Sequence, residues 1–235
     1  ARRLARPGDG SFRRSIIQFD GLKVNMNILE LQDAARAVSQ GRLVVYPTET
    51  FYAVGCSALD ESAVQRVYAV KRRGRSFPLP VIIGAAEQLP LVAERVPEAA
   101  LRLARLFWPG PLTILLPASG RIPEALSCGT GKIAVRVSSH PAAREPCLAC
   151  GVPLVSSSAN ISGRPPVTAA RELDADLLAG VEGVFDAPPA PGGGSPSTIV
   201  EVVPSDQGYL LRVTRQGAVS VTALEDHGFH CVSGE

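Results

Sequence analysis

Short apolar runs alternate with stretches whose apolar residues recur every three to four positions, and this alternation covers most of the chain. Residues 15–19 and 43–46 read as strands, with a helical pattern over 28–39 between them. Residues 61–71 place Val64, Val67, Tyr68 and Lys71 at helical spacing, with Asp60 in front as an N-cap. The runs 80–83, 112–116, 133–137 and 153–155 predict buried strands, while 98–107, 140–151 and 168–178 predict helices. A closing β-pair is predicted over 197–203 and 209–214, joined by a turn around 205–208. The segment 188–194 is rich in Pro and Gly, but strand signal resumes directly after it, so it reads as a loop inside a domain. Periodicity fades after about Ser220. The pattern therefore predicts one α/β (α+β) domain over 15–220, with a large twisted mixed β-sheet flanked by helices. A basic, flexible arm over 1–14 precedes it and a short C-terminal tail over 221–235 follows.

Composition narrows the function classes. With 235 residues and 46% hydrophobic content the chain can bury a sizeable core. A net charge of +2 creates no global field that would demand nucleic acid or an anionic membrane. No apolar run approaches the ~20 residues of a membrane span. The arm carries Arg2, Arg3, Arg6, Arg13 and Arg14 without an apolar core, which excludes a secretory signal and leaves disorder, a weak RNA contact or a remnant of upstream sequence. Five cysteines, an odd number, fit a reduced cytoplasmic protein. Cys147 and Cys150 form a C-x-x-C, but no second pair stands at metal spacing, so packing on an amphipathic helix is the expectation and no metal site is assigned.

Candidate chemistry concentrates in a few places. Ser156 to Gly163 follows a strand with small hydroxyl and amide side chains that suit a polar ligand. Pro47-Thr48-Glu49-Thr50 leaves the carboxyl end of a predicted strand, where ligands gather in open α/β sheets, though an ordinary turn would use the same residues. Lys71-Arg72-Arg73-Gly74-Arg75 closes a helix with more cations than the helix dipole needs, which suits a clamp on a polyphosphate. Arg136 interrupts an apolar strand and demands an anion or a carboxylate partner. Gly129-Thr130-Gly131-Lys132 is not a P-loop, because Leu126 and Ile133 stand where a glycine and a hydroxyl are required. His140 lacks neighbours at metal-ligand spacing, and Ser158 lacks the nucleophile elbow of a hydrolase.

Taken in order, Pro47-Thr48-Glu49-Thr50, Lys71-x-Arg73, Phe77-Pro78-Leu79, Trp108-Pro109-Gly110-Pro111-Leu112-Thr113, Arg136, Ser158-Ala159-Asn160-Ile161-Ser162-Gly163, Ser197-Thr198-Ile199-Val200 and Arg215-x-Gly217 form an ordered set. By this set the chain resembles the YrdC-like family of threonylcarbamoyl-AMP synthases over about residues 28–218, in the short, single-domain form. The resemblance implies a YrdC-like fold and an ATP-dependent nucleotidyltransferase. It would join L-threonine, bicarbonate or CO2 and ATP into threonylcarbamoyl-AMP and pyrophosphate, with Mg²⁺ accompanying ATP. A threonylcarbamoyl-transferase complex would then modify tRNA. Carried over residue by residue, Lys71 and Arg73 are the implied catalytic residues. Lys71, Arg73, Ser158, Asn160, Ser197 and Arg215 are the implied nucleotide ligands, and Thr48 and Arg136 the implied threonine ligands. The chain departs from the family pattern where Arg72 takes the place of glycine, Gly74 that of proline and Phe77 that of asparagine. Two alternatives remain in view: a carbamoyl-adenylate-forming domain of the hydrogenase-maturation type, and a non-enzymatic RNA-binding module. The latter is disfavoured by only 5% aromatic residues.

Overall fold

The computed structural model describes residues 13–19, 22–206 and 208–234. Along the chain come β1 (Arg13–Phe19), β2 (Leu22–Ile28), α1 (Leu31–Ser39), β3 (Val44–Pro47), β4 (Tyr52–Gly55) and α2 (Glu61–Val70). They are followed by β5 (Val81–Ile82), a 3-10 turn at Ala86–Gln88, α3 (Leu89–Val92), α4 (Glu98–Phe107), β6 (Leu112–Pro117), α5 (Glu124–Ser127), β7 (Lys132–Arg136) and α6 (Pro141–Cys150). The chain closes with β8 (Leu154–Val155), β9 (Ser157–Ser158), a 3-10 turn at Ala170–Glu172, α7 (Ala175–Ala179), β10 (Gly183–Val184), β11 (Thr198–Ser205), β12 (Gly208–Arg215), α8 (Val221–Glu225) and β13 (Cys231–Ser233).

The expected single large sheet is two sheets. One orders its strands β1-β2-β10-β3-β4-β9, the other β13-β12-β11-β6-β7-β5-β8, and each mixes parallel and antiparallel pairs. The physical reason lies at Ser156. Val155 pairs with Val81 in the second sheet while Ser157 pairs with Val54 in the first, so the chain changes sheets within three residues. At this seam the two sheets almost touch. A Cβ on Gly55 would stand 2.0 Å from the Val155 carbonyl oxygen, so only glycine admits the approach.

Local chemistry explains the helices that frame the seam. The Asp60 carboxylate accepts the Ala63 N–H at 3.0 Å and starts α2, whose Ala63, Val64, Val67 and Tyr68 are buried. Burying side chains such as Val64 and Val67 contributes about 1.5–3 kcal/mol each. His140 caps α6 by accepting the Ala142 N–H on Nδ1 at 3.1 Å, with Pro141 in the first helical position. Its other ring nitrogen, Nε2, is then the protonated one and donates to the Pro189 carbonyl at 2.6 Å. His140 is thus structural. Cys147 is buried and both α6 cysteines are free thiols, as packing on that helix predicts.

Three further expectations need correction. The segment 221–234 is folded: α8 buries Leu224, Phe229 is buried, and β13 pairs with β12. Its few apolar residues are too sparse to show a period yet sufficient to dock. The helix expected over 168–178 is broken, because Leu173 has extended backbone and Asp174 instead caps α7. The helix expected from residue 28 starts at Leu31, because β2 runs through Ile28 and pairs with β1. The alternation of Val24, Met26 and Ile28 in the sequence carries the signal of that hairpin. Of the arm, residues 1–12 lie outside the described residues, and Arg13 and Arg14 belong to β1.

Candidate active site

A cavity of about 420 Å³ opens along the seam between the sheets. The first sheet contributes Thr48, just past β3, and Ser158, the last residue of β9. The second contributes one end of four neighbouring strands. Because β6 runs antiparallel to β7 and parallel to β11, while β12 runs antiparallel to β11, the starts of β6 and β11 lie beside the finishes of β7 and β12. That arrangement gathers Thr113, Ser197, Arg136 and Arg215. Arg73, from the loop after α2, completes the lining.

Six of the eight site residues expected from the sequence therefore face one space: Thr48, Arg73, Arg136, Ser158, Ser197 and Arg215. Lys71 and Asn160 stand behind the lining. Lys71 is 1% exposed, and its ammonium donates to the Ser158 carbonyl and, at 2.8 Å, to that of Asn160. The Ser162 N–H in turn donates to the Lys71 carbonyl at 2.8 Å. Lys71 thus fastens the 158–162 loop to the end of α2. Burial, reinforced by the neighbouring Arg73 charge, lowers its pKa to about 8. The Asn160 amide donates within its own turn, to Ile161 O at 3.2 Å and Arg164 O at 2.5 Å.

The opposite wall is held differently. Arg215 donates from Nη2 to the Ser197 carbonyl at 2.8 Å and to its hydroxyl at 3.0 Å, while Thr113 and Ser197 share a hydroxyl bond of 2.8 Å. A Cβ on Gly217 would stand 2.2 Å from the Pro196 carbonyl oxygen, so glycine lets the chain after Arg215 close on the Ser197 loop. Burial, and then the charge of Arg136, lower the Arg215 pKa from its ordinary value. Arg136 pairs with Glu49, whose second oxygen accepts the Ser138 hydroxyl at 2.5 Å. Thr48 donates its hydroxyl proton to Phe51 O at 2.7 Å, as a turn would.

Sequence reasoning had Glu49 and Thr113 in its motifs without assigning either a role. Thr113 is a hydroxyl inside the apolar run of β6, a signal that could have singled it out. Among the described residues no Asp or Glu lines the cavity, and three guanidinium groups do. Among the described residues Arg73 and Arg215 pair with no carboxylate, while Arg136 is held by Glu49, so the lining favours anions and an anion at Arg136 must compete with Glu49. Among the described residues no group of three His, Cys, Asp or Glu side chains is placed to hold a metal ion.

The family model Sua5_yciO_yrdC, described as "Telomere recombination", matches residues 36–217, a span that contains every cavity residue named above. The chain belongs to the Sua5/YciO/YrdC family. A threonylcarbamoyl-AMP synthase of Xanthomonas euvesicatoria pv. vesicatoria is 39% identical over 166 residues, 67% of this chain and 86% of that one. A threonylcarbamoyl-AMP synthase of Pyrococcus abyssi is 40% identical over 157 residues, 67% of this chain. This chain's match spans 46% of the length of that archaeal relative. The solved structure of P. abyssi Sua5 complexed with L-threonine superposes with a TM-score of 0.78 at 33% identity, over 86% of this chain and 58% of that one. The Sua5/YciO/YrdC fold expected from the ordered motifs is therefore present, as two mixed sheets and their helices.

Proposed function

We propose that the chain is an L-threonylcarbamoyladenylate synthase, a nucleotidyltransferase that makes threonylcarbamoyl-AMP and pyrophosphate for tRNA modification. The observation that carries this reading is the seam cavity, in which Arg73, Arg136 and Arg215 face one space without a lining carboxylate. Relatives named for this activity and a threonine-bound family structure support it.

Threonine amine and bicarbonate give a carbamate and water. A carbamate oxygen then attacks the α-phosphorus of ATP, and the bond to the β-phosphate breaks to release pyrophosphate. No protein nucleophile is needed. The carbamate carries two anionic groups and ATP a triphosphate, so the main obstacle is repulsion between substrates. Arg136 takes the amino-acid carboxylate, with Thr48 beside it. Arg73 and Arg215 neutralise phosphate oxygens and stabilise the departing pyrophosphate, and Ser158 and Ser197 donate to phosphate or sugar oxygens. Lys71 contributes its charge from behind the Ser158 loop and fixes that loop in place. Asn160 shapes the same turn. Mg²⁺ accompanying ATP would offset phosphate charge beside Arg73 and Arg215, without a protein cage of its own. No helix among the described residues is long and apolar enough to cross a membrane. The product would serve tRNA in the cytoplasm through a downstream transferase complex.

The test is pyrophosphate release from ATP, bicarbonate and Mg²⁺ with and without threonine. Release that requires threonine is the expected result. Release indifferent to threonine, or driven instead by carbamoyl phosphate, would overturn the reading in favour of the carbamoyl-adenylate alternative.

A further inference from the structure

Arg73 occupies a peculiar position. It lines the seam cavity and also a second cavity of about 410 Å³, which shares Pro80 and Arg215 with the first and is floored by Leu115, Ala134 and Ile199. It is therefore part of the wall between two adjoining spaces. Its guanidinium is poorly tethered. The polar contact it makes is a long bond from Nη2 to the Pro78 carbonyl at 3.4 Å, and its buried Nε has no partner. No described carboxylate pairs with it, and Lys71 nearby repels it.

What does face it is an aromatic ring. The Arg73 guanidinium carbon stands 5.5 Å from the centroid of Phe77. Phe77 is 59% exposed, more than Leu106, Leu148 or Val232, so burial does not account for a large apolar side chain here. Its backbone is nevertheless anchored: its carbonyl accepts the Tyr68 hydroxyl at 2.9 Å and its N–H donates to Gly74 O at 3.3 Å. The ring lies across Gly74, where a Cβ would stand 3.5 Å from Phe77 Cδ2.

We propose that Phe77 is a positioning residue for the synthase reaction, its ring face holding the Arg73 guanidinium so that its free N–H groups face the seam cavity. The inference rests on the reading of Arg73 as a phosphate ligand. An exposed cation–π contact contributes about 0.5–1 kcal/mol, which corresponds to roughly a two- to fivefold effect.

The experiment compares Phe77→Leu, Phe77→Trp, Arg73→Ala and the Phe77→Leu/Arg73→Ala double variant in threonine-dependent pyrophosphate release, with a thermal melt of each. Phe77→Leu should lower kcat/KM for ATP about two- to fivefold at an unchanged melting temperature, and Phe77→Trp should restore it. In the Arg73→Ala background Phe77→Leu should cause no further loss, which a merely structural role for the ring would not produce. Wild-type kcat/KM in Phe77→Leu beside an impaired Arg73→Ala overturns this inference alone, as do additive losses in the double variant. Wild-type kcat/KM in Arg73→Ala removes Arg73 from the reaction and overturns the underlying assignment as well.

Discussion

The two walls of the seam cavity use cations in opposite ways. On the Ser158 wall, Lys71 is buried and its ammonium is spent on the carbonyls of Ser158 and Asn160. On the Ser197 wall, Arg136 and Arg215 line the cavity itself, and burial together with the Arg136 charge depresses the Arg215 pKa. The first wall buries its cation behind a loop, whereas the second brings its cations to the cavity surface, where Arg136 pairs with Glu49 and Arg215 bonds to Ser197. A basic residue in a site motif can thus be scaffold or ligand, and whether it reaches the cavity separates the two.

The largest effect that could break this contrast comes from removing each cation in turn. Lys71→Ala should lower both turnover, at least tenfold or about 1.4 kcal/mol in the barrier, and the melting temperature, because two carbonyls lose their donor. Arg215→Ala should also lower turnover while leaving the melting temperature within about two degrees of wild type, as partly exposed contacts are worth little to stability. Steady-state rates and thermal melts of the two variants check this. Equal melting temperatures would erase the difference between the walls.

A pH profile sharpens the contrast at intermediate size. Lys71 has a folded-state pKa of about 8, below its ordinary value of 10.5. Between these values the unfolded chain binds the extra proton, so the cost of burying this charge eases as pH rises across the window. The ammonium itself disappears over the same rise. Log kcat/KM should accordingly fall above pH about 8, and bound ATP, by favouring the cation, should move the limb in kcat upward. A flat profile through pH 9 would separate the Lys71 charge from the reaction.

The smallest expected effect concerns Arg72, which adopts φ +50°, in the left-handed region that favours glycine. A left-handed backbone costs an L-residue roughly 1 kcal/mol. Its exposed ion pair with Asp176, 2.7 Å long, recovers only part of that. Arg72→Gly should therefore stabilise the protein by up to about 0.5 kcal/mol in urea unfolding, and a clear destabilisation would show that the ion pair outweighs the backbone.

Much of this was legible from residue patterns. The helix over Glu98–Phe107 and the β11–β12 pair follow from periodicity and a turn, and the cavity residues from motif order. The division into two sheets was not legible, since it turns on a crossing at Ser156 that leaves no mark in hydrophobic spacing. Nor were the separate roles of Lys71 and Arg73. They stand two positions apart in one basic run, and only the packing of α2 against the Ser158 loop buries one and exposes the other to the cavity.

The central claim is that this cavity joins a threonine-derived carbamate to AMP. The most direct measurement is mass spectrometry of the nucleotide products after incubation with ATP, Mg²⁺, threonine and ¹³C-bicarbonate. The account predicts threonylcarbamoyl-AMP carrying the label, formed alongside pyrophosphate. AMP or ADP alone, or an adduct without the label, would contradict it.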